Sequence, residues 1–201
     1  NVLLLDVTPL SLGLETFDTG TTSVADAVAE RIRPEGADVV FECVGSEETI
    51  GVALAATRKG VCAIFFGDDT ASLRADLRRQ FPRAGLVAGD DTFKGTLASV
   101  IAFVEAPRGK FDLPLDIRGT AFQHRVWEAL RHIPPGRTAS YAEIAQAIGA
   151  SGSARAVARA CASNPIAVAV PCHRVVRSDG SLSGYRGGVD RKRALLAREA
   201  K

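Results

Sequence analysis

Residues 120–162 read TAFQHRVWEALRHIPPGRTASYAEIAQAIGASGSARAVARACA and predict three short helices in succession. Thr120 and Gln123 have the spacing of a capping box, in which two side chains three residues apart accept the free backbone N–H groups at the start of a helix. Ser140 and Glu143 repeat that spacing. Apolar residues follow each box at intervals of three and four, which is the period of an amphipathic helix.

The third helix of this stretch is predicted over residues 154–162. Ser153 is its candidate N-cap, and Asn164-Pro165 ends it, because a residue before proline avoids helical backbone angles. Gly149 closes the second helix. Two short helices joined by a tight turn that contains glycine form the outline of a helix-turn-helix.

The segment after these helices is predicted to be extended and then helical. Residues 166–170, IAVAV, are typical of a strand, and Asp179-Gly180 is typical of a hairpin turn. A last helix is predicted near the C-terminus, with Asp190 as its N-cap.

The upstream residues predict a small α/β unit. Residues 61–66 are typical of a buried strand, and residues 71–79 and 97–105 of helices. Residues 46–60 fit two structures: a helix followed by a strand, or a strand in a hairpin with residues 61–66. The pattern does not choose between them.

The predicted fold class is therefore α/β. A small N-terminal α/β domain (37–110) precedes a mainly helical C-terminal domain with a helix-turn-helix (111–201), and residues 1–36 form an unassigned extension. The 201 residues are 46% hydrophobic and 24% charged, a composition that excludes a disordered chain. No run approaches the roughly 20 apolar residues of a membrane span, and no secretory signal is expected.

Charge divides the chain into an acidic and a basic half. Residues 1–110 hold 11 Lys and Arg against 16 Asp and Glu, whereas residues 111–201 hold 14 against 7. A basic half indicates contact with a polyanion, usually nucleic acid, or an ordinary solvated surface. Charge alone does not separate the two.

Four cysteines lack the paired spacing of a disulfide framework or a zinc site, so no metal is expected. Cys43, Cys62 and Cys161 lie in apolar or alanine-rich surroundings and are interpreted as buried small hydrophobes. Unpaired thiols favour a reducing compartment, the cytoplasm. Cys172 differs, because Pro171 precedes it and His173 and Arg174 follow it.

A cysteine acts as a nucleophile only as thiolate, and an adjacent imidazole or cation lowers its pKa. His173 and Arg174 are therefore expected to poise Cys172 as an anion. In an extended segment neighbouring side chains point to opposite faces, so His173 would need a tight turn or a bridging water to act as the base. Glu199 is a candidate for orienting the imidazole.

The order and spacing of these motifs resemble the O6-alkylguanine–DNA alkyltransferases, and most of all the C-terminal domain of the Ada-type proteins. The resemblance covers roughly residues 111–199 and extends more loosely back to Val61. The residues that carry it are Phe122-Gln123, Val126-Trp127, Ile133-Pro134, Gly136, Ser140-Tyr141, Ile144-Ala145, Arg155-Ala156-Val157, Asn164-Pro165, Pro171-Cys172-His173-Arg174-Val175, Gly184-Tyr185, Arg191-Lys192 and Leu195-Leu196.

The resemblance implies a single-use repair reaction, in which Cys172 takes the alkyl group from O6 of a damaged guanine. His173 would accept the thiol proton through a water, and Glu199 would orient His173. Tyr141 would assist the leaving guanine and lie near the 3′ phosphate, while Asn164 would hold the turn before the active-site segment.

The resemblance also implies a DNA surface and a substrate pocket. Arg155 would enter the base stack in place of the flipped nucleotide. Arg137, Arg159 and Arg177 are further candidates for phosphate contacts, and the resemblance implies Tyr185, Lys192 and Val175 for the pocket.

The expected partner is double-stranded DNA that contains O6-alkylguanine, bound by a monomer without cofactor, nucleotide or membrane, at the bacterial nucleoid. The alternative from another class is a non-catalytic module that binds alkylated DNA. A nicotinamide-dependent dehydrogenase fragment and a cysteine hydrolase are two weaker hypotheses.

The N-terminal residues resemble other families. Residues 2–13 are similar to the interdomain linker of ATP-driven heat-shock chaperones, and residues 24–60 to a piece of the zinc-type alcohol dehydrogenases. The chain is thus interpreted as a mosaic. Alternatively, residues 39–43 and 52–57 are the opening strands of the alkyltransferase small domain.

Overall fold

The computed structural model describes residues 39–44, 51–89, 91–107 and 111–200. The predicted extension 1–36, the chaperone-like stretch and the side chain of Cys43 lie outside the described residues.

A four-stranded sheet forms the N-terminal part of the described chain. Strands β1 (Val39–Val44), β2 (Gly51–Thr57), β3 (Gly60–Gly67) and β4 (Leu86–Ala88) are arranged in the order β3-β2-β1-β4. β2 pairs antiparallel with both β1 and β3, and β4 pairs parallel with β1. Of the two structures left open for residues 46–60, the hairpin with β3 is therefore the observed one. The strands proposed for the alkyltransferase small domain are also observed.

Helices cover both faces of this sheet. Leu73 and Leu77 of α1 (Thr70–Gln80) pack with Ala53 and Ala55 of β2 on one face. Val52, Leu54 and Ala56 of β2 pack with residues of α2 (Asp91–Glu105) on the opposite face. Every residue of β2 is buried, because successive side chains of a strand point to opposite faces and both faces are covered here.

The C-terminal part is mainly helical, as predicted. Its elements are α3 (Ala121–Arg131), β5 (Ala139–Ser140), α4 (Tyr141–Ala147), α5 (Ala154–Ala162), a 3₁₀ turn (Cys172–Arg174), β6 (Val175–Val176) and α6 (Val189–Glu199).

Both predicted capping boxes are confirmed. In each, the hydroxyl side chain accepts the backbone N–H three residues later, and the Gln or Glu side chain accepts the backbone N–H of the cap. Two other predicted caps are wrong: Ser153 precedes α5 without a side-chain cap bond, and Gly188, not Asp190, is the N-cap of α6. Gly188 has φ +90, a backbone region that glycine enters without steric cost.

The strand predicted over residues 166–170 is also wrong. Ile166 forms a single bridge to Ile64 of β3, after which the chain turns, with Val168 at φ +60. The N–H of Val170 donates to the carbonyl of Ile166 at 3.1 Å, which folds the segment back on itself. The apolar run at residues 166–170 gave no sign of this turn.

Asp179-Gly180 forms the predicted turn, and the N–H of Arg177 before it donates to the carbonyl of Ser181 after it at 3.0 Å, as in a tight hairpin. The N–H of Gly180 donates to the carbonyl of Arg177 at 2.9 Å. The strand before the turn, β6, pairs with β5 in parallel, so its partner comes from earlier in the chain.

The two parts of the chain meet in one of the buried hydrophobic clusters. Ile166, Val168 and Leu195 of the helical part belong to the same buried cluster as β2, β3 and α2. This packing fixes α6 and the segment before Cys172 against the sheet. Among the described residues, no helix is both long enough and apolar enough to cross a membrane.

Candidate active site

Cys172 opens a 3₁₀ turn directly after Pro171. The N–H of Cys172 donates to the carbonyl of Val170 at 2.8 Å, and that of Arg174 to the carbonyl of Pro171 at 3.0 Å. Cys172 is only 7% exposed. Because the segment turns instead of continuing as a strand, Cys172 and His173 are not forced onto opposite faces. The segment is thus a tight turn, which is one of the two arrangements expected to let His173 act as the base for Cys172.

Asn164 clamps this turn from the end of α5. Its Nδ2 donates to the carbonyl of Val170 at 2.8 Å and to Sγ of Cys172 at 3.2 Å. Its Oδ1 accepts the N–H of Ile166 at 2.9 Å. Asn164 is buried, so each of these bonds is made away from solvent. One amide side chain therefore fixes both the backbone around the cysteine and the sulfur itself.

His173 and Glu199 form a buried pair beside the turn. Nε2 of His173 lies 2.8 Å from Oε1 of Glu199, and each side chain is 1% exposed. Burial lowers the pKa of His173, although Glu199 opposes this shift. A neutral imidazole that donates from Nε2 leaves a lone pair on Nδ1, and Nδ1 is buried without a partner in the described part of the chain. His173 can therefore accept a proton at Nδ1.

Arg174 supports Glu199, a role that the sequence interpretation missed. Nε of Arg174 lies 3.0 Å from both carboxylate oxygens, and Nη2 lies 2.8 Å from Oε1. Nη1 also donates to the carbonyl of Ile133 at 2.5 Å. Burial opposes ionisation of Glu199, but the hydrogen bonds and charges of His173 and Arg174 outweigh it and lower its pKa to about 2. Because the forked guanidinium of arginine suits a carboxylate, the residue type of Arg174 was the signal from which its pairing with Glu199 could have been predicted.

The expectation that Cys172 is poised as an anion is wrong for this structure. Burial raises the pKa of the Cys172 thiol, and the hydrogen bond from Asn164 and the charge of Lys192 only partly offset this. Arg174, expected to lower the pKa, is directed to Glu199 instead. The thiol therefore stays protonated at rest, and a base must remove its proton during a reaction.

Cys172 borders a small cavity that adjoins a larger open groove. The cavity has a volume of about 20 Å³ and is lined in part by Asn164, Cys172, Tyr185 and Arg186. A space of this size holds about one water. The groove, about 710 Å³, is lined in part by Tyr141, Arg155, Arg177, Tyr185 and Arg186. Tyr185 and Arg186 border both spaces, so the cavity and the groove adjoin at these two residues.

Comparison with known proteins places this site in a family. The profile of the 6-O-methylguanine DNA methyltransferase DNA-binding domain matches residues 121–201. The methylated-DNA–protein-cysteine methyltransferase of Mycolicibacterium paratuberculosis is 50% identical over 117 residues, which cover 58% of this chain and 71% of that protein. The chain belongs to the methylated-DNA–protein-cysteine methyltransferase family. The resemblance predicted from the sequence is thus confirmed.

Solved structures of this methyltransferase family share the fold. Mycobacterium tuberculosis OGT, crystallised in complex with DNA, superposes with a TM-score of 0.67 at 39% identity, covering 80% of this chain and 92% of that one. The predicted α/β fold with a helical C-terminal domain is thereby confirmed. The Escherichia coli bifunctional transcriptional activator/DNA repair enzyme Ada is 47% identical over 173 residues, 86% of this chain and 49% of Ada. The chain therefore spans about half the length of the Ada proteins that it matches.

The remaining predicted site residues divide between the groove and the interior. Tyr141 and Arg155 line the groove, and Arg155 is exposed. Arg137 and Arg159 are also exposed but do not line the groove. Arg177 lines it from the loop after β6.

Lys192 and Val175 lie in the interior. Lys192 is fully buried, and its Nζ donates to the carbonyl of Val175 at 2.5 Å and lies 3.3 Å from Oγ of Ser183. The side chain of Val175 packs in the helical core and does not line the cavity or the groove. Val175 thus contacts Lys192 through its backbone carbonyl. Ser183 is a polar neighbour of Lys192 that the sequence interpretation did not name.

Proposed function

We propose that this chain repairs DNA by an irreversible transfer of the alkyl group from O6 of an alkylated guanine to the sulfur of Cys172, once per protein molecule. The observation that carries the proposal is the buried Cys172 turn: Asn164 holds the sulfur, and the His173–Glu199 pair lies next to it. Family membership supports the reaction, because the relatives are named for transfer from methylated DNA to a protein cysteine.

The proposed chemistry begins with the thiol proton, which moves through a water to Nδ1 of His173. The buried carboxylate of Glu199 stabilises the imidazolium that forms. The sulfur then forms a bond to the alkyl carbon, the carbon–O6 bond breaks, and its electron pair leaves with the guanine. A thioether cannot be hydrolysed by this site, so the protein is consumed.

The proposed DNA surface is the groove beside α5. O6 of guanine is stacked inside duplex DNA, so the nucleotide must leave the stack at a cost of a few kcal/mol. Arg155, exposed at the groove, is proposed to fill the vacated space. Arg137, Arg159 and Arg177 are exposed cations proposed to contact phosphates, which makes binding weaker as salt rises. Tyr185 and Arg186 must move, because a cavity of about 20 Å³ does not admit a purine.

The setting we propose for this reaction is the cytoplasm, at the nucleoid, with the protein acting as a monomer and without a cofactor. The basic C-terminal half supports contact with DNA.

Intact mass spectrometry after incubation with an O6-methylguanine duplex tests the proposal. One methyl group per protein should appear and the reaction should stop, whereas Cys172→Ala should gain none and still bind the duplex. Cys161→Ala is the matched control, because Cys161 is a buried cysteine of α5 whose pKa is raised by burial, and it should still accept one methyl group. A methyl group found on Cys161 or Cys62, or several turnovers per protein, would contradict the proposal.

A non-catalytic module that binds alkylated DNA is the second candidate. Two observations favour it: the raised pKa of Cys172 and the small volume of the cavity at its sulfur. The same experiment separates the two functions, because a binding module retains the duplex without any gain in mass.

A further inference from the structure

Three polar side chains form a chain that leads from the interior to the groove. Nζ of the fully buried Lys192 lies 3.3 Å from Oγ of Ser183. Oγ of Ser183 lies 2.5 Å from the hydroxyl of Tyr141, which lines the groove. Nζ is also held by the carbonyl of Val175 at 2.5 Å, so the ammonium has a fixed position.

The donors and acceptors give this chain a direction. An ammonium group can only donate, so Ser183 accepts from Lys192. The hydroxyl hydrogen of Ser183 is then free to donate to the oxygen of Tyr141. When an acceptor enters the groove, this arrangement leaves the hydrogen of Tyr141 free to donate to it. In the reverse arrangement Tyr141 donates to Ser183, and Ser183 then does not donate its own hydroxyl hydrogen to Tyr141.

We propose that Ser183 is a positioning residue for the leaving group: it connects the buried Lys192 to Tyr141 and so directs the Tyr141 hydroxyl hydrogen towards the departing guanine. The inference rests on the proposed function. It assigns Ser183 a role that charge or position in the sequence does not indicate, and it gives Lys192 a role behind the site instead of in contact with substrate.

The proton balance of the step is complete. As sulfur bonds to the alkyl carbon and the carbon–O6 bond breaks, the guanine leaves with the electron pair and takes a proton from Tyr141. Ser183 returns a proton to Tyr141 and Lys192 returns one to Ser183, which leaves Lys192 as a neutral amine after the single transfer. Burial lowers the pKa of Lys192 and raises that of Tyr141, so the lysine releases a proton more readily and the phenol stays protonated until it is used.

The test compares two methyl donors that differ in the leaving group. Single-turnover transfer to Cys172 is measured by mass with an O6-methylguanine duplex and, separately, with methyl iodide, whose iodide leaves without a proton. Ser183→Ala should lower the maximal rate from the duplex about tenfold, the effect of losing roughly one hydrogen bond, with little change in the half-saturating DNA concentration. Methylation by methyl iodide should keep its rate. Ser183→Thr retains a hydroxyl and should recover most of the rate with the duplex.

A double variant tests the link to Lys192. If Lys192 acts through Ser183, the two residues act as one unit. The double variant Ser183→Ala/Lys192→Met should then transfer the methyl group from the duplex no more slowly than the slower of the two single variants. Additive losses would overturn this link. If Lys192→Met does not fold, Ser183→Ala and Ser183→Thr still decide the role of Ser183.

Other outcomes overturn the inference separately from the proposed function. Equal losses with the duplex and with methyl iodide would show that Ser183 only maintains the structure around Cys172. If Ser183→Ala keeps its rate with the duplex, the proposed connection from Lys192 through Ser183 to Tyr141 would be overturned. Failure of the unsubstituted protein to accept any methyl group from the duplex would instead overturn the proposed function.

Discussion

Replacement of Glu199 by Gln tests whether the buried carboxylate stabilises the fold around the site. The substitution retains the side-chain shape but removes the charge that faces His173 and Arg174. The pKa of Glu199 is lowered from 4.5 to about 2. A shift of this size corresponds to about 3 kcal/mol of stability at neutral pH. Glu199→Gln should therefore lower the free energy of unfolding at pH 7 by about 3 kcal/mol.

The pH dependence follows from the direction of this shift. A carboxylate with a lowered pKa in the folded state stabilises the protein above its unfolded pKa, and the contribution is lost as pH falls towards the folded value. The difference between the unsubstituted protein and Glu199→Gln should thus be full above about pH 5 and shrink as pH falls towards 2.

Urea unfolding followed by the fluorescence of Trp127 measures this difference, since Trp127 is the single tryptophan and is buried in the helical core. Glu128→Gln is the matched control: its carboxylate is exposed and pairs with Arg131 at 3.3 Å, and surface pairs contribute little. No difference for Glu199→Gln at pH 7, or a difference that is the same at pH 3 as at pH 7, would refute the stabilising role of the ionised carboxylate.

Two further predictions concern the DNA surface and the helix starts. Arg155→Ala should slow transfer from a duplex more than from a single strand, because only a duplex requires the vacated space to be filled; single-turnover rates on the two substrates measure this, and equal losses would argue against that role. Ser140→Ala should destabilise the protein by about 1 kcal/mol through loss of a cap, whereas Ser153→Ala should have little effect because Ser153 makes no cap bond. Urea unfolding of both variants checks this, and a larger loss for Ser153→Ala would contradict it.

Helices with complete local signals were predictable from the sequence. The boxes at Thr120 and Ser140 contain all the atoms that start α3 and α4, so no distant residue is needed. Ser153 and Asp190 have suitable side chains but do not cap α5 and α6, because the backbone path into each helix depends on its packing. Residue type alone does not reveal that path.

Part of the candidate site was also predictable. Cys172 and His173 are adjacent in the sequence, Glu199 was a candidate for orienting the imidazole, and the resemblance supplied Asn164 and Tyr141. The support of Glu199 by Arg174 and the contact of Ser183 with Tyr141 were not foreseen, because each joins segments distant in the chain.

The sequence by itself determined the family, the helix-turn-helix and the cysteine that carries the proposed chemistry, since these depend on residue identity and local spacing. Only the tertiary structure decided that burial raises the pKa of the Cys172 thiol and that Tyr185 lines the space beside its sulfur. The physical reason is that a pKa depends on desolvation and on the charges nearby. Both are set by which distant segments pack around the sulfur.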